Sequence, residues 1–416
     1  MTVEAVSARR AWAMVAIVFV TVGFAGGTWH MFGIFVKPME AAFQASRTAL
    51  SLVVSLSQFT YFLLMLVMGR VLDRFGPRAV IVTGVAIMGV GALLSSRVQS
   101  VGQMHLTFGV VLALGYAMCT INVSSVAVTQ WFARRRGTAM GVALAGFNAG
   151  QLILLPLTQY WILAYGWREA FVALGLLTLV LPLPLAWAFL RNGPHRISGR
   201  PGAGCHTGVG GPRSARGLTA GALRSRSFWF LSFSFFGCGF SDFVLAAHLP
   251  PFAVDVGISP WLSGAAHGFI SGLSIPGVIL LGVLSDRLGR RLPLTFIYLV
   301  RAGGFAFLPW VRDVPGLAAF IVAYGFFYFA STPMTSAAAA DIFGPERLGT
   351  LYGYIVAAHG LGALAGPYVA GALFDATGSY QAAFWTTGGL LLAAALCCAL
   401  IEDPVGEAHR RRRRSA

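Results

Sequence analysis

Long apolar stretches alternate with short polar segments along the whole chain. Breaking the chain at charges, prolines and glycine clusters leaves twelve apolar segments, each about the length that a helix needs to cross a bilayer. The predicted spans are 11–36, 48–69, 79–96, 104–132, 137–165, 170–190, 227–252, 261–284, 292–310, 316–342, 349–373 and 382–401. The pattern predicts an all-α membrane protein with twelve transmembrane helices.

The composition excludes a water-soluble fold. Hydrophobic residues make up 57% of the 416 residues and charged residues 11%, against roughly 25% charged residues in ordinary soluble domains. The five cysteines lack an even, loop-placed spacing, so no disulfide framework is expected. A net charge of +16 could suggest nucleic acid, but the bases form short clusters between apolar segments. No nucleic-acid partner is expected.

The basic clusters predict the orientation in the membrane. Most of the 30 Lys and Arg residues lie at the chain ends or in every second connecting segment: Arg9 and Arg10; Arg70, Arg74 and Arg78; Arg134 to Arg136; the arginines of 191–226; Arg287, Arg290 and Arg291; Arg347; and Arg410 to Arg414. The opposite segments contain only Lys37, Arg47, Arg97, Arg168 and Arg312. Because basic loops stay in the cytoplasm, both termini are predicted to be cytoplasmic, in a plasma membrane or bacterial inner membrane. The basic tail predicts contact with anionic lipids.

The chain divides into two related halves. Residues 191–226, rich in Gly, Pro, Ser and Arg, predict a cytoplasmic linker between six-helix bundles at 1–190 and 227–416. The segment GRVLDRFGPR, from Gly69, recurs from Gly282 as GVLSDRLGRR. The turn GWREAF, which ends at Phe171, recurs at the same offset as GSYQAAF, which ends at Phe384. A six-plus-six repeat of this kind is a transporter architecture.

In these motifs the chain resembles the major facilitator superfamily, whose loop between helices two and three has the pattern G-x-x-x-D-R-x-G-x-R. Within it, Gly33 to Glu40, Trp131 to Gly146, and Gly366-Pro367 resemble the monocarboxylate transporter and oxalate/formate antiporter group. The resemblance implies two pseudo-symmetric six-helix bundles and a monomeric secondary active transporter without cofactor or metal. It would move a small organic anion, a monocarboxylate or related carboxylate, by alternating access, with a proton as candidate coupling ion.

Two other functions are alternatives to this one. The alternative within the superfamily is an exporter of drugs or other metabolites, because the carboxylate group commonly has an Arg in helix eight where this chain has Val278. An intramembrane enzyme is not expected, since the eight His are scattered without H-x-x-x-H spacing and no nucleotide-binding loop occurs.

The two signature loops contain a candidate conformational gate. Each Asp lies where a helix meets a turn, so its carboxylate can face the positive end of a neighbouring helix while the Arg side chains bridge other helix ends. The glycines suit a tight turn. The predicted gate residues are Asp73, Arg74, Arg78, Asp286, Arg287 and Arg291. The alternative is that the Arg residues only fix orientation and the Asp residues only cap helices.

Polar side chains inside the spans are the candidate site, because burying one is costly unless it is paired or lines a cavity. Counted at about 1.5 Å per residue, Asn122, Arg301 and His359 lie near mid-membrane, and His30 and Asp242 somewhat farther out. The predicted substrate-binding residues are His30, Asn122, His359, Tyr328 and Arg301. The predicted proton-coupling residues are Asp242 and His30.

The family resemblance adds to the case for two of these residues. His30 stands seven residues before Lys37, as a functional Lys does in monocarboxylate transporters, and His359 lies where oxalate/formate antiporters carry a substrate-binding Lys. His30 can instead be neutral and hydrogen-bonded between helices. Asp242 can instead form a hydrogen bond between helices. Arg301 can instead have a structural role, paired with a neighbouring helix.

Overall fold

The computed structural model describes residues 8–132, 136–193, 223–344 and 348–404, and their regular structure is helical. Ten of the described helices are long and apolar enough to cross a membrane. One of them, Arg47–Ser95, contains two spans, because Gly76 interrupts it with φ 76° and ψ 159°. Two shorter helices, Val314–Gly325 and Ser331–Phe343, together form one further span. The prediction of twelve helices is confirmed.

We number these spans helix one to helix twelve. Their bounds are Ala8–His30 with Phe32–Phe43; the two parts of Arg47–Ser95; Val101–Thr129; Arg136–Tyr165; Trp167–Phe189; Arg226–Asp255; Pro260–Leu288; Arg291–Trp310; Val314–Gly325 with Ser331–Phe343; Leu348–Thr377; and Gln381–Ala399. Helix one is longer than predicted, since it continues through Pro38 to Phe43.

The sequence repeat is also a repeat of backbone conformation. In the two signature loops, Gly76 and Gly289 have φ of 76° and 85°, and in the second repeated turn Gly166 and Gly378 have φ of 102° and 67°. A side chain with a Cβ rarely adopts these angles, whereas glycine does so without strain. These four glycines therefore set the turns at equivalent places in both halves.

Glycines also allow two helix pairs to approach closely. In helix five, a Cβ added at Gly150 would lie 1.8 Å from the carbonyl oxygen of Gly23 in helix one. In helix seven, a Cβ added at Gly239 would lie 2.1 Å from the carbonyl oxygen of His359 in helix eleven. Small residues at helix contacts replace the hydrophobic driving force that is absent in lipid. The second contact brings His359 next to helix seven.

Backbone contacts divide the chain into two compact units. The first contains Met1–Phe43 and Leu56–Cys205, and the second contains Gln44–Ser55 and His206–Ala416. The start of helix two, up to Ser55, is thus counted with the second unit. The division into an N-terminal bundle at 1–190, a linker at 191–226 and a C-terminal bundle at 227–416 stays a prediction. Some predicted cytoplasmic segments lie outside the described residues: most of the linker, the basic tail, and Arg134, Arg135 and Arg347.

Candidate functional site

Three of the predicted site residues meet inside the second unit. Asp242 comes from helix seven, Arg301 from helix nine and His359 from helix eleven. Nη2 of Arg301 donates a hydrogen bond to Oδ1 of Asp242, and Nε2 of His359 lies 3.7 Å from Oδ2 of the same carboxylate. One carboxylate therefore bridges a guanidinium and an imidazole within the membrane.

Arg301 is fully buried and surrounded by acceptors. Its Nη2 also donates to the hydroxyl of Ser241 at 2.6 Å, and its Nη1 lies 3.2 Å from Sγ of Cys238 and 3.4 Å from the hydroxyl of Ser331. A buried guanidinium is tolerated only when it is paired and hydrogen-bonded. Asp242 supplies the neutralising charge, which is the paired arrangement that the sequence offered as one interpretation of Arg301.

The accessible end of this group is formed by Asp242 and His359. Their side chains are 13% and 24% exposed, whereas that of Arg301 is 0% exposed. The ring of Phe235 packs against the imidazole, with 4.7 Å between ring centroids. A proton or a small anion would therefore reach the carboxylate and the imidazole before it reached the guanidinium.

Cys238 is a member of the site that the sequence analysis missed. Its thiol donates to Oδ2 of Asp242 at 3.4 Å. The four-residue spacing of Cys238 and Asp242 on helix seven is the signal that could have found it, because such residues share a helix face. We call Cys238, Asp242, Arg301 and His359 the Asp242 cluster.

The Asp242 cluster contains metal-ligand types but disfavours a cation. Cys238, Asp242 and His359 offer ligand atoms within 4.8 Å of one another. Arg301, however, already contacts both the thiol and the carboxylate. Its positive charge would repel a metal ion at this distance.

Tyr328 lies next to the Asp242 cluster, where helix ten is interrupted between Gly325 and Ser331. Its backbone carbonyl, 3.4 Å from Nη1 of Arg301, faces the guanidinium. Its hydroxyl lies 3.5 Å from Nε2 of His267. Interrupting a helix frees carbonyl groups, and here one of them helps to solvate the buried charge.

His30 and Asn122 lie in the first unit and have a different environment. His30 is 7% exposed, and its ring stacks on Trp29 with 6.2 Å between centroids. Trp29 in turn lies 4.4 Å from the ring of Tyr61 and 4.8 Å from that of Tyr116. Nδ2 of Asn122 lies 3.9 Å from Sδ of Met65. The roles of His30 and Asn122 in substrate binding stay predictions.

The second signature loop is tied together by Arg290, which was not among the predicted gate residues. Its Nη1 lies 2.7 Å from Asp286, its Nε lies 2.9 Å from Asp341 at the end of helix ten, and its backbone N–H donates to Asp403 at 3.2 Å. Burial works against its charge, but hydrogen bonds to Asp341 and Asp286 raise the pKa of Arg290 above its usual value. Arg287 and Arg291 make no ion pair within the described parts of the chain.

The first signature loop is held by neutral groups instead. Nη2 of Arg78 donates to the carbonyl of Trp187 at 2.8 Å, and its backbone N–H donates to the side chain of Asn192 at 3.1 Å. Arg74 lies over the ring of Phe75 at 5.3 Å. Among the described residues, which omit 133–135, Asp73 has no ion pair.

Twelve helices, two signature loops and a buried intramembrane ion pair together define a polytopic protein of the secondary-transporter type. Residues 18–330 and 302–416 match the Major Facilitator Superfamily, and the chain belongs to that family. It is therefore a multi-pass membrane transporter and not an enzyme.

Several relatives are similar over most of the chain. The MFS-type transporter YcxA of Bacillus subtilis is 26% identical over 90% of this chain and 91% of its own length. Monocarboxylate transporter 12 of Rattus norvegicus is 28% identical, covering 76% of this chain and 70% of its own, and monocarboxylate transporter 13 of Bos taurus is 27% identical, covering 91% and 86%. The chain is thus similar to the monocarboxylate transporter group.

A solved structure supports the fold. A bacterial homologue of the human lysosomal transporter Spinster, in an inward-facing and unoccupied conformation, superposes with a TM-score of 0.72. The two sequences are 17% identical, and the match covers 99% of this chain and 98% of the other. At this identity the likeness concerns the fold alone.

Proposed function

We propose that this protein is a proton-coupled transporter of a small organic anion, a monocarboxylate or related carboxylate. The observation that carries the proposal is the carboxylate of Asp242, which bridges Arg301 and His359 inside the membrane. Similarity to proteins named monocarboxylate transporters supports the same substrate class. An ionisable cluster within a span is costly, and its use in binding or proton transfer accounts for its presence.

Charge balance links the proton to the anion. With Arg301 charged, Asp242 ionised and His359 neutral, the Asp242 cluster has no net charge. One added proton, on Asp242 or His359, makes the cluster positive and frees hydrogen-bond donors for a carboxylate. Binding of a monocarboxylate then restores neutrality. The empty state and the state loaded with both ions are therefore each electrically balanced, which is the condition for crossing a low-dielectric membrane.

The remaining predicted residues have supporting roles in this proposal. Tyr328 helps to hold the buried guanidinium, Asn122 contributes a neutral hydrogen bond, and His30 is a second titratable group. The conformational gate keeps the predicted loop residues and gains Arg290 and Asp341, whose contact supports it. Alternating access, a monomeric state and binding of anionic lipids by the tail belong to the same proposal.

Transport assays in proteoliposomes test the function. We expect an inward proton gradient to stimulate uptake of a monocarboxylate, and expect Asp242→Asn, Arg301→Gln and His359→Gln each to reduce that uptake at least ten-fold. His105→Gln is the matched control, because His105 bonds only the carbonyl of Val101 in its own helix among the contacts described. Uptake that does not depend on the proton gradient and is unchanged in all three variants would refute the proposal.

An exporter of drugs or other metabolites is the second candidate, favoured by Val278 in helix eight. A thermal-shift screen separates the two, because a ligand that binds the native state raises its apparent stability. Stabilisation by carboxylates supports the leading proposal. Stabilisation by cationic drugs, with none by carboxylates, supports the exporter.

The proposal places both termini and the signature loops in the cytoplasm, from the distribution of basic residues. Alkaline phosphatase fusions check this orientation, since the enzyme is active only outside the cytoplasm. We expect no activity for fusions at Gly208 or after Ala416, and activity for a fusion near Asp255. The reverse pattern would show that the protein has the opposite orientation in the membrane.

A further inference from the structure

Trp29 of helix one is partly exposed in the middle of a long buried stretch. From Thr21 to Val36, every other residue is buried. The ring of Trp29 lies 4.4 Å from that of Tyr61 in helix two, which is also partly exposed, and 4.8 Å from that of Tyr116 in helix four, measured between centroids. A ring that only filled the interior would be enclosed as its neighbours in helix one are. Trp29 therefore reaches an open surface inside the first unit.

Polar groups beside these rings show that this surface does not face lipid. The hydroxyl of Tyr116 donates to the carbonyl of Ser57 at 3.2 Å and lies 3.5 Å from Nε2 of Gln58. Gln58 is 2% exposed and Tyr116 is 0% exposed. Polar side chains within a span are directed into the protein or toward a cavity, because contact with hydrocarbon is costly.

The rings are also held in place from behind. Phe147 of helix five lies 6.1 Å from Trp29 between centroids, and its ring packs on Gly26 of helix one, where an added Cβ would lie 2.8 Å from Cδ2 of Phe147. Tyr116 is fixed by its hydrogen bonds. We call Trp29, Tyr61, Tyr116 and Phe147 the Trp29 group. Rings that are positioned in advance lose little freedom when a ligand binds.

The sequence repeat makes the Trp29 group the counterpart of the Asp242 cluster. The offset between Asp73 and Asp286 also relates Met88 to Arg301, Thr28 to Ser241 and Trp29 to Asp242. The contacts repeat as well: the hydroxyl of Thr28 lies 3.2 Å from Sδ of Met88, as the hydroxyl of Ser241 lies 2.6 Å from Nη2 of Arg301. Where the second unit has an ion pair, the first unit has a thioether and an indole.

The chemistry of the Trp29 group suits a planar apolar ligand. Its four side chains carry no charge at neutral pH, and aromatic rings bind other rings edge to face or in offset stacks. Such rings can also hold a cation. Because the proposed substrate is an anion, its uncharged body is the part that these rings can bind.

We propose that the Trp29 group binds an aromatic ring of the substrate, so that the transported anion is an aryl-substituted monocarboxylate and not a short one such as acetate. This inference rests on the proposed function and narrows its substrate class. A monocarboxylate with a ring carries both chemistries that the two units offer, one negative charge and one planar apolar body.

Thermal-shift titrations of the full-length protein test the inference with acetate and phenylacetate, which share a carboxylate and differ by a phenyl ring. We expect half-maximal stabilisation at a concentration at least ten-fold lower for phenylacetate, because its ring removes apolar area from water. Trp29→Leu should weaken phenylacetate binding at least ten-fold and change acetate binding less than two-fold. Trp29→Phe, which keeps a ring, should weaken phenylacetate binding less than Trp29→Leu does.

Trp12→Leu is the matched control. Trp12 lies in the same helix and also packs edge to face on a ring, that of Phe132 at 5.6 Å, but it is not a member of the Trp29 group. Its replacement should leave the affinities for both carboxylates unchanged. An equal loss of phenylacetate affinity in Trp12→Leu would show a general loosening of helix one and would overturn the inference. If Trp29→Leu does not fold, Tyr61→Leu takes its place with the same expected result.

The remaining outcomes separate this inference from the proposed function. Equal affinities for acetate and phenylacetate would overturn the inference and leave the carboxylate proposal standing. A preference for phenylacetate that persists in folded Trp29→Leu and Tyr61→Leu would assign the ring to another site and overturn the role of the Trp29 group. Stabilisation by neither carboxylate would overturn both. Stabilisation by a cationic drug that is lost in Trp29→Leu would assign the rings to a cation and would also overturn the inference.

Discussion

The two halves share helix order and turn glycines but bury different side chains within the membrane. In the first unit, His30 of helix one lies against Trp29 and Phe147, with ring centroids 6.2 Å and 6.0 Å away. At nearly the equivalent place in helix seven, Asp242 forms an ion pair with the buried Arg301. A repeated backbone therefore holds an aromatic environment in one half and a charged one in the other.

This difference indicates which half is sensitive to substitution. His30 packs against the rings of Trp29 and Phe147, so its replacement removes ring packing. Asp242 and Arg301 each depend on the other, because either one alone would be an uncompensated charge in a low-dielectric interior. Four predictions test this asymmetry.

The largest expected effect is that of Asp242→Asn. The change leaves Arg301 charged and fully buried without its carboxylate, which should destabilise the protein by about 3–5 kcal/mol and reduce transport at least ten-fold. Thermal unfolding without substrate and uptake in proteoliposomes measure the two effects. The counterpart, His30→Gln, should lower the unfolding temperature much less. Equal losses of stability from both variants would contradict the expected difference between the two halves.

The second prediction concerns the close contact that positions His359. Gly239→Ala would place a Cβ 2.1 Å from the carbonyl oxygen of His359, so helix eleven must shift, at a cost of about 1–3 kcal/mol. Gly353→Ala is the control, because a Cβ there meets nothing within 4 Å. Thermal unfolding and anion affinity should both fall for the first variant and not for the second. Identical behaviour of the two variants would contradict the role of this contact.

The sequence predicted what depends on local pattern. Apolar length fixed the twelve helices, and the repeated Gly76 and Gly289 marked turns that only glycine adopts readily. It also nominated Asp242, Arg301 and His359, because each is costly inside a membrane. Their meeting around one carboxylate could not be predicted, since it depends on how helices seven, nine and eleven pack.

The residues that the sequence missed have partners far away in the chain. Arg47 looked like a loop charge, and only the fold brings Asp255 and Asp375 to it. Arg290 is not one of the fixed positions of the motif pattern, and its partner Asp341 lies at the end of another helix. The pattern of residues along the sequence does not show which distant residues come into contact.

The third prediction is a pH effect restricted to the charged half. Protonated His359 adds positive charge to the Asp242 cluster, so anion affinity should be highest at low pH and fall as His359 loses its proton with rising pH. We expect this fall to be about five- to ten-fold over the pH range in which His359 loses its proton, and expect a flattened profile in His359→Gln. His30→Gln should change the profile less than His359→Gln does. A profile that flattens only in His30→Gln would move the titrating group to the first unit.

The smallest effect compares the two signature loops. Arg290 contacts the carboxylates of Asp286 and Asp341, whereas the partners of Arg78 among the described residues are a carbonyl and a side-chain amide. Because Asp286 is 70% exposed, its contact with Arg290 should contribute no more than about 1 kcal/mol of stability. The rate of the conformational cycle should nevertheless fall several-fold in Arg290→Gln, and less in Arg78→Gln, with anion affinity unchanged in both. Counterflow rates and equilibrium binding separate these quantities. A loss of anion binding in folded Arg290→Gln would show that the second signature loop affects the binding site and not the rate of the conformational cycle. A larger slowing of the cycle in Arg78→Gln than in Arg290→Gln would show that the first loop has the greater effect.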